Sequence, residues 1–167
     1  VNDHPKSFLR IDRPETQFAE DYDMYAPEVY QKAHDMLWEQ IERGVFEQDE
    51  TNCYYIYEQT MNGRTQIGIV ACASIDDYLN NVIKKHENTR ADKEVDRINH
   101  VSTCEAQTGP IFLAYRSNEV INGIVNKIKA GIALYDFVAE DGITHKAWII
   151  DNDPDIDAIE KAFEGMN

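Results

Sequence analysis

The side chains best suited to chemistry are concentrated between Lys84 and His100, where eleven of seventeen residues are charged or His. At 100° per residue, Arg90, Glu94 and Arg97 share one stripe of a helix. Two guanidinium groups flanking a carboxylate suit bidentate binding of a phosphate or carboxylate, with Glu94 holding the arginines in place. The spacing therefore indicates a candidate anion site.

Two features of this segment keep a second interpretation open. An Arg-Glu-Arg pattern at i, i+4 and i+7 is also typical of an ordinary surface helix with salt bridges. His86 and Glu87 precede the helix and could form a general acid/base pair. A lone His-Glu dipeptide is nevertheless frequent by chance, so spacing alone does not separate ligand binding from a solvated scaffold.

Other chemical classes find no support in the sequence. It has no HxH or HExxH spacing for a metal, no Gly-rich P-loop and no GxSxG elbow. The cysteines, Cys53, Cys72 and Cys104, are widely spaced and form no disulfide pattern, which indicates a reducing compartment. We expect a cytoplasmic protein without a protein-bound metal.

Composition limits the partners. The 167 residues include 16 Lys and Arg against 31 Asp and Glu, a net charge of −15. Such acidity opposes binding to nucleic acid polymers. The longest apolar run, Gly68 to Ala73, is too short to span a membrane, and no leader opens the chain. Composition therefore argues against a nucleic acid polymer or a membrane as partner, whereas the arginine stripe indicates a small anionic ligand. The oligomeric state stays open.

The chemical segment itself is predicted to be helical. Thr89 is a suitable cap for a helix that begins at Arg90, with Asp92 near its positive end. Ala91, Val95, Ile98 and Ser102 form a thin apolar stripe, which we expect to be buried. Asp92, Asp96 and Asn99 are expected to point to water.

Helices and hairpins alternate along the rest of the chain. Pro at the first helical position, N-cap residues and Asn-Gly or Asp-Gly turns mark their bounds. The second strand of the first hairpin is apolar on both faces and is predicted to be central. The predicted elements are a strand Ser7–Ile11, a helix from Pro27 to Gly44, a hairpin Tyr54–Thr60 and Thr65–Ser74, a strand Ile111–Tyr115, a helix from Ser117 or Asn118 to Lys129, a hairpin Ala133–Ala139 and Ile143–Ile150, and a helix from Pro154.

This alternation predicts an α+β fold with a mixed or mostly antiparallel sheet built from hairpins. We expect one α+β domain over residues 1–167. Periodicity predicts a core drawn from Leu37, Ile41, Tyr55, Tyr57, Ile69, Ala71, Ile111, Leu113, Val125, Trp148 and Ile159.

Several strings resemble one uncharacterised bacterial and archaeal family, domain of unknown function 1015. Its most specific string is His-Glu-x-Thr-Arg-x-x-Lys-Glu-x-Asp-Arg, present here from His86 to Arg97. The matching segments also include Ser7–Leu9, Tyr54–Tyr57, Gln66–Ala71, Ser74–Tyr78, Ile83–Lys85, Thr108–Leu113 and His145–Trp148. The resemblance thus covers almost the whole chain.

The resemblance also sets expectations about the complete protein. Family members are more than twice this length, and their downstream part resembles the ParB and sulfiredoxin superfamily, which includes small-molecule kinases. An upstream Pro-Pro-Tyr-Asp segment and a downstream Ala-Asp-Gly-His-His-Arg motif are absent here. Because the chain opens on Val1 and lacks both, we expect a central fragment.

The family's downstream motif implies phosphate or nucleotide binding, and phosphotransferase-like chemistry, in the intact protein. Arg90, Arg97 and Lys85 would hold phosphate oxygens, and Glu94 would orient the arginines. His86 or Glu87 would supply acid/base help. The resemblance leaves the cofactor open and is compatible with a nucleotide and Mg in the intact protein. The alternative is a non-enzymatic structural or interaction domain whose charged helix contacts the missing parts of the intact protein. Whether Arg90 and Arg97 converge on an open cleft or are closed by carboxylates discriminates the two.

Overall fold

The two predicted hairpins join in one antiparallel sheet of four strands in the order β2-β1-β4-β3. The computed structural model describes residues 4–85 and 89–166. The strands are β1 Tyr54–Met61, β2 Arg64–Val70, β3 Tyr135–Val138 and β4 Thr144–Ile150. The helices are α1 Leu9–Asp12, a short 3₁₀ helix Pro14–Gln17, α2 Pro27–Glu42, α3 Ile75–Leu79, α4 Ala91–Cys104, α5 Glu119–Lys129 and α6 Asp153–Glu164. The α+β class with a hairpin-built antiparallel sheet is confirmed.

The described residues group into two compact units. One comprises residues 4–48 and 89–113, and the other residues 49–85 and 114–166. Each unit has its own cluster of buried side chains. The single domain expected from the sequence stays a prediction, and the two units are described separately below.

The first unit is helical. Helices α1, α2 and α4 bury a small cluster to which α1 contributes Ile11, fully inaccessible to solvent. The strand expected at Ser7–Ile11 is wrong, because Leu9–Ile11 lie in α1 and the two residues before them form no strand. The other buried members are Ala33, Met36, Leu37 and Cys104.

The second unit stacks α5 and α6 on one face of the sheet. Central strands β1 and β4 contribute Ile56, Trp148 and Ile150 to its core. The helices contribute Ile121, Ile124, Val125 and Ile159. Asn118 caps α5 by accepting hydrogen bonds from the backbone N–H groups of Val120 and Ile121. This cap fixes where α5 begins.

The structure corrects two strand predictions. Strand β2 lies at an edge rather than in the centre, and its Ile67 and Val70 are 42% and 45% exposed. An apolar run indicates that both faces of a strand can be buried. It does not indicate how many neighbouring strands pair with that strand. The strand expected at Ile111–Tyr115 is not formed. Pro110 removes a backbone donor at its start, and Ile111 is 71% exposed.

The predicted core is correct in part. Leu37, Val125, Trp148 and Ile159 are buried, whereas Tyr55 and Ile69 are half-buried. The predictions of burial for Ile41, Tyr57, Ala71, Ile111 and Leu113 are wrong, since all five are exposed. Helical spacing locates an apolar stripe on a helix. How much of that stripe is buried depends on how much of it the neighbouring element covers.

Candidate functional site

Helix α4 packs against α2 through the side that carries Asp96, His100 and Cys104, and of these only Asp96 is predicted above to point to water. The Tyr30 hydroxyl donates to Asp96 Oδ1 at 2.9 Å, and the indole N–H of Trp38 donates to the Cys104 carbonyl at 3.1 Å. His100, only 5% exposed, lies edge-on to the Tyr30 ring. Helix α2 offers hydrogen-bond donors at both ends of the contact, and the side of α4 with His100 and Cys104 is the buried one. Asp92 and Asn99 are exposed, as the sequence predicts.

The stripe predicted to be buried is therefore the exposed one. Val95 and Ile98 are each 55% exposed, and Ala91 and Ser102 are also exposed. The helix itself is confirmed, although it begins at Ala91 with Arg90 in the N-cap position and no side-chain cap. The cap predicted at Thr89 is wrong. Helix α4 thus presents an apolar stripe to solvent beside its charged residues.

The two arginines are each closed by a carboxylate of the same unit. Arg90 donates through Nε and Nη2 to the two oxygens of Asp92, at 3.1 and 2.7 Å. Arg97 Nη1 contacts Asp12 Oδ1 at 3.4 Å. The same guanidinium group packs against Gly109, since a Cβ atom added to that glycine would lie 3.4 Å from Arg97 Nη1. Arg97 lies seven positions after Arg90, which corresponds to a helical rise of about 10 Å.

The expected role of Glu94 is not seen. Among residues 4–85 and 89–166, Glu94 forms no ion pair with either arginine. Lys93 instead donates to the Tyr25 hydroxyl at 3.0 Å, and this bond raises the pKa of the lysine. Lys85 belongs to the other compact unit, where its ammonium lies over the Tyr78 ring. His86 and Glu87, the predicted acid/base pair, lie outside the described residues.

Burial sets the protonation states of the two buried titratable groups of α4. His100 Nε2 lies 3.3 Å from the Thr108 hydroxyl, and burial, helped by the charge of Arg97, lowers the pKa of its imidazole. Burial raises the pKa of the Cys104 thiol to about 11. The histidine is therefore neutral and the cysteine protonated at neutral pH.

A shallow hollow of about 440 Å³ lies beside the exposed stripe, and its polar lining is acidic. Asp92 and Asp96 supply the carboxylates, and Tyr25, Tyr30, Asn99, Ala91 and Val95 complete the lining. Burial, followed by the bond to Asp96, raises the pKa of Tyr30 to about 12, so its hydroxyl stays a donor. None of the described residues that line the hollow is a lysine or an arginine, so the hollow is better suited to a cation than to a phosphate.

Two structural features are absent from the part of the chain that is described. Within residues 4–85 and 89–166, no group of three His, Cys, Asp or Glu side chains could hold a metal ion. In the same ranges, no helix has both the length and the apolar character needed to cross a membrane.

Fold and site together define an α+β protein with an antiparallel sheet and a separate helical unit that presents a charged helix. The chain belongs to the family described as protein of unknown function (DUF1015), whose model matches residues 1–167. The resemblance found from the sequence is thereby confirmed. No curated protein and no solved structure matches the chain. The link to the ParB and sulfiredoxin superfamily stays a prediction.

Sequence reasoning missed the partners rather than the helix. Asp12, Tyr25 and Tyr30 each contact α4 across 66 or more residues of chain. No local spacing encodes such pairs. The one usable signal is the polar tip of Tyr30 within an otherwise apolar stripe, because a buried tyrosine hydroxyl usually has a partner.

Proposed function

We propose that the first unit is a non-enzymatic interaction module whose α4 stripe packs against a further polypeptide segment of the intact protein. One observation carries this proposal: Val95 and Ile98 are each 55% exposed while both neighbouring arginines already hold carboxylates of their own unit. Apolar side chains at i and i+3 on an exposed helix are the pattern that a second helix covers. The charged residues around them would set the register of packing.

Cysteine labelling tests this proposal. A Val95→Cys variant in a Cys72→Ser background is labelled with a maleimide. The labelling is done on the 167-residue chain and on the intact protein. We expect labelling about tenfold slower in the longer product, because thiol reactivity follows exposure. Lys32→Cys, on an exposed position of α2 in the same unit, is the matched control and should react equally in both. Equal rates at Val95 would contradict the proposal.

Phosphate or nucleotide binding in the intact protein is the second candidate, and the exposure of the guanidinium groups favours it. The side chains of Arg90 and Arg97 are 76% and 49% exposed, and such surface ion pairs are worth only about 0.2–1 kcal/mol. A phosphate could displace Asp92 and Asp12 at small cost. In this candidate the protein is a cytoplasmic, phosphotransferase-like enzyme of bacteria or archaea that uses a nucleotide with Mg.

Calorimetry distinguishes this candidate from the first. The intact product and its Arg90→Ala and Arg97→Ala variants are titrated with inorganic phosphate, ADP and ATP. Loss of one charge-assisted contact should weaken binding about 10- to 150-fold, equivalent to roughly 1.5–3 kcal/mol. Lys32→Ala should bind as the parent does. Absence of anion binding by the parent would eliminate phosphate binding and leave the interaction module.

A further inference from the structure

The second unit exposes an apolar strand edge that nothing in the proposed function uses. Strand β3 pairs only with β4, so its outer edge has no neighbouring strand among residues 4–85 and 89–166. Tyr135, Phe137 and Val138 are 62%, 53% and 66% exposed. Ile132 and Leu134, just before the strand, are 99% and 51% exposed. Five large apolar side chains therefore follow one open edge.

The usual protection of a strand edge is absent from β3. Natural edges carry lysine, proline or unpaired inward charges that discourage pairing with another strand. The one charged residue of β3, Asp136, is held by Lys146 of β4 at 2.8 Å. The remaining residues of the strand, Tyr135, Phe137 and Val138, are uncharged. The backbone donors and acceptors along this edge are open to an added strand.

An apolar hollow of about 400 Å³ adjoins the start of this edge. Trp148 and Ile149 of β4 form one side, and Ile128, Ile132, Ala133 and Leu134 form the rest. Strand addition gains affinity from backbone hydrogen bonds and specificity from hollows that accept alternate side chains. An open edge and an apolar hollow beside it are the two parts of that recognition mode.

We propose that the β3 edge binds an extended segment of a partner protein, with a large aliphatic side chain in the hollow and basic residues at the end that lies next to Glu140 and Asp141. Glu140 and Asp141 follow β3 directly and form no ion pair among the described residues, so this end of the edge is negative. A second copy of this chain is a poor occupant. It would bring together twice the net charge of −15.

Peptide titration followed by ¹H–¹⁵N NMR tests the proposal. The probe is KKTITLTVKK, which alternates large apolar residues and carries lysine at both ends. The first control is EETITLTVEE, and the second is the lysine peptide N-methylated at alternate amides. On the protein side, Ile132→Ser removes one wall of the hollow. Ile75→Ser, on α3 of the same unit and 74% exposed, is its matched control.

The expected result is saturable binding tighter than about 1 mM, with shifts confined to residues 132–139 and their β4 neighbours. The glutamate and N-methylated peptides, and the Ile132→Ser variant, should each weaken binding at least about tenfold. Ile75→Ser should not change it. Absent binding, equal binding of the glutamate or N-methylated peptide, or a sedimenting dimer that Val138→Lys dissociates would each overturn the proposal. None of these outcomes bears on α4, which lies in the other unit.

Discussion

Replacement of Lys129 by Met should destabilise the second unit by about 2 kcal/mol. Lys129 forms an ion pair with Glu58, and the two side chains are only 22% and 13% exposed. Its ammonium also lies 5.6 Å from the centre of the Trp148 ring. Loss of one partner costs about 3–5 kcal/mol in a fully buried pair and roughly 0.2–1 kcal/mol in an exposed one. Lys146 lies opposite Glu58 in the pairing of β1 with β4, so part of the charge of Glu58 stays compensated when Lys129 is replaced. We therefore expect a cost between the values for buried and exposed pairs.

Urea unfolding followed by Trp148 fluorescence measures this cost. All proteins carry Trp38→Phe, so that the signal reports on the second unit alone. A loss of about 2 kcal/mol should lower the midpoint by roughly 1 M. Met keeps the length of the lysine side chain, so the change isolates the charge.

A double-mutant cycle separates the ion pair from packing. The cost of Lys129→Met combined with Glu58→Gln should fall about 1–2 kcal/mol below the sum of the single costs. Lys161→Met, on an exposed position of α6, is the matched control and should change stability by less than about 0.5 kcal/mol. A coupling energy near zero would refute the reasoning.

Three further predictions concern single groups. Tyr30→Phe should cost about 1–2 kcal/mol, because it removes the bond to Asp96. The pKa of Tyr30 is raised to about 12 from its ordinary value of 10. The stability that the hydroxyl contributes is therefore complete below pH 10 and is lost as the pH rises through 12. Between about pH 8 and 12, the urea midpoint should fall less steeply in Tyr30→Phe than in the parent. A thiol reagent at pH 8 should modify the exposed Cys72 quickly and the buried Cys104 only after unfolding, whereas early reaction of Cys104 would contradict its burial. Asn118→Ala should cost about 1 kcal/mol in thermal unfolding by removing the cap of α5, and an unchanged midpoint would contradict that role.

The fold was accessible from sequence wherever a local rule applies. Asn62 and Gly63 have φ values of +51° and +74°, as the hairpin turn between β1 and β2 requires, and Asn-Gly is the dipeptide that tolerates them best. Pro27 begins α2, and Asn118 caps α5. These signals lie within a few residues of the boundary that they set, so no knowledge of tertiary packing is needed.

The orientation of α4 was not accessible because it depends on distant residues. A helical wheel ranks Val95 and Ile98 as the inward side, since apolar burial is the usual driving force. The donors supplied by Tyr30 and Trp38 reverse that choice, and each is 66 residues away from its partner on α4. The sequence therefore predicted helix α4 but not which of its faces is buried, and the site residues stay a prediction.

The partners of the charged string bear on the choice between the two candidate functions. Lys93, Asp96 and Arg97 are each bound to a side chain of α1 or of the α2 region, so these three positions have roles within the fold that need no ligand. Glu94 has no ion pair among the described residues. Among the same residues, Arg90 pairs only with Asp92, and the side chain of Arg90 is mostly exposed. A ligand or partner of α4 would therefore act on Arg90 and Glu94, one helical turn apart and beside the exposed Val95. A carboxylate at the centre of that surface opposes a phosphate and accommodates a basic side chain, which favours the interaction module.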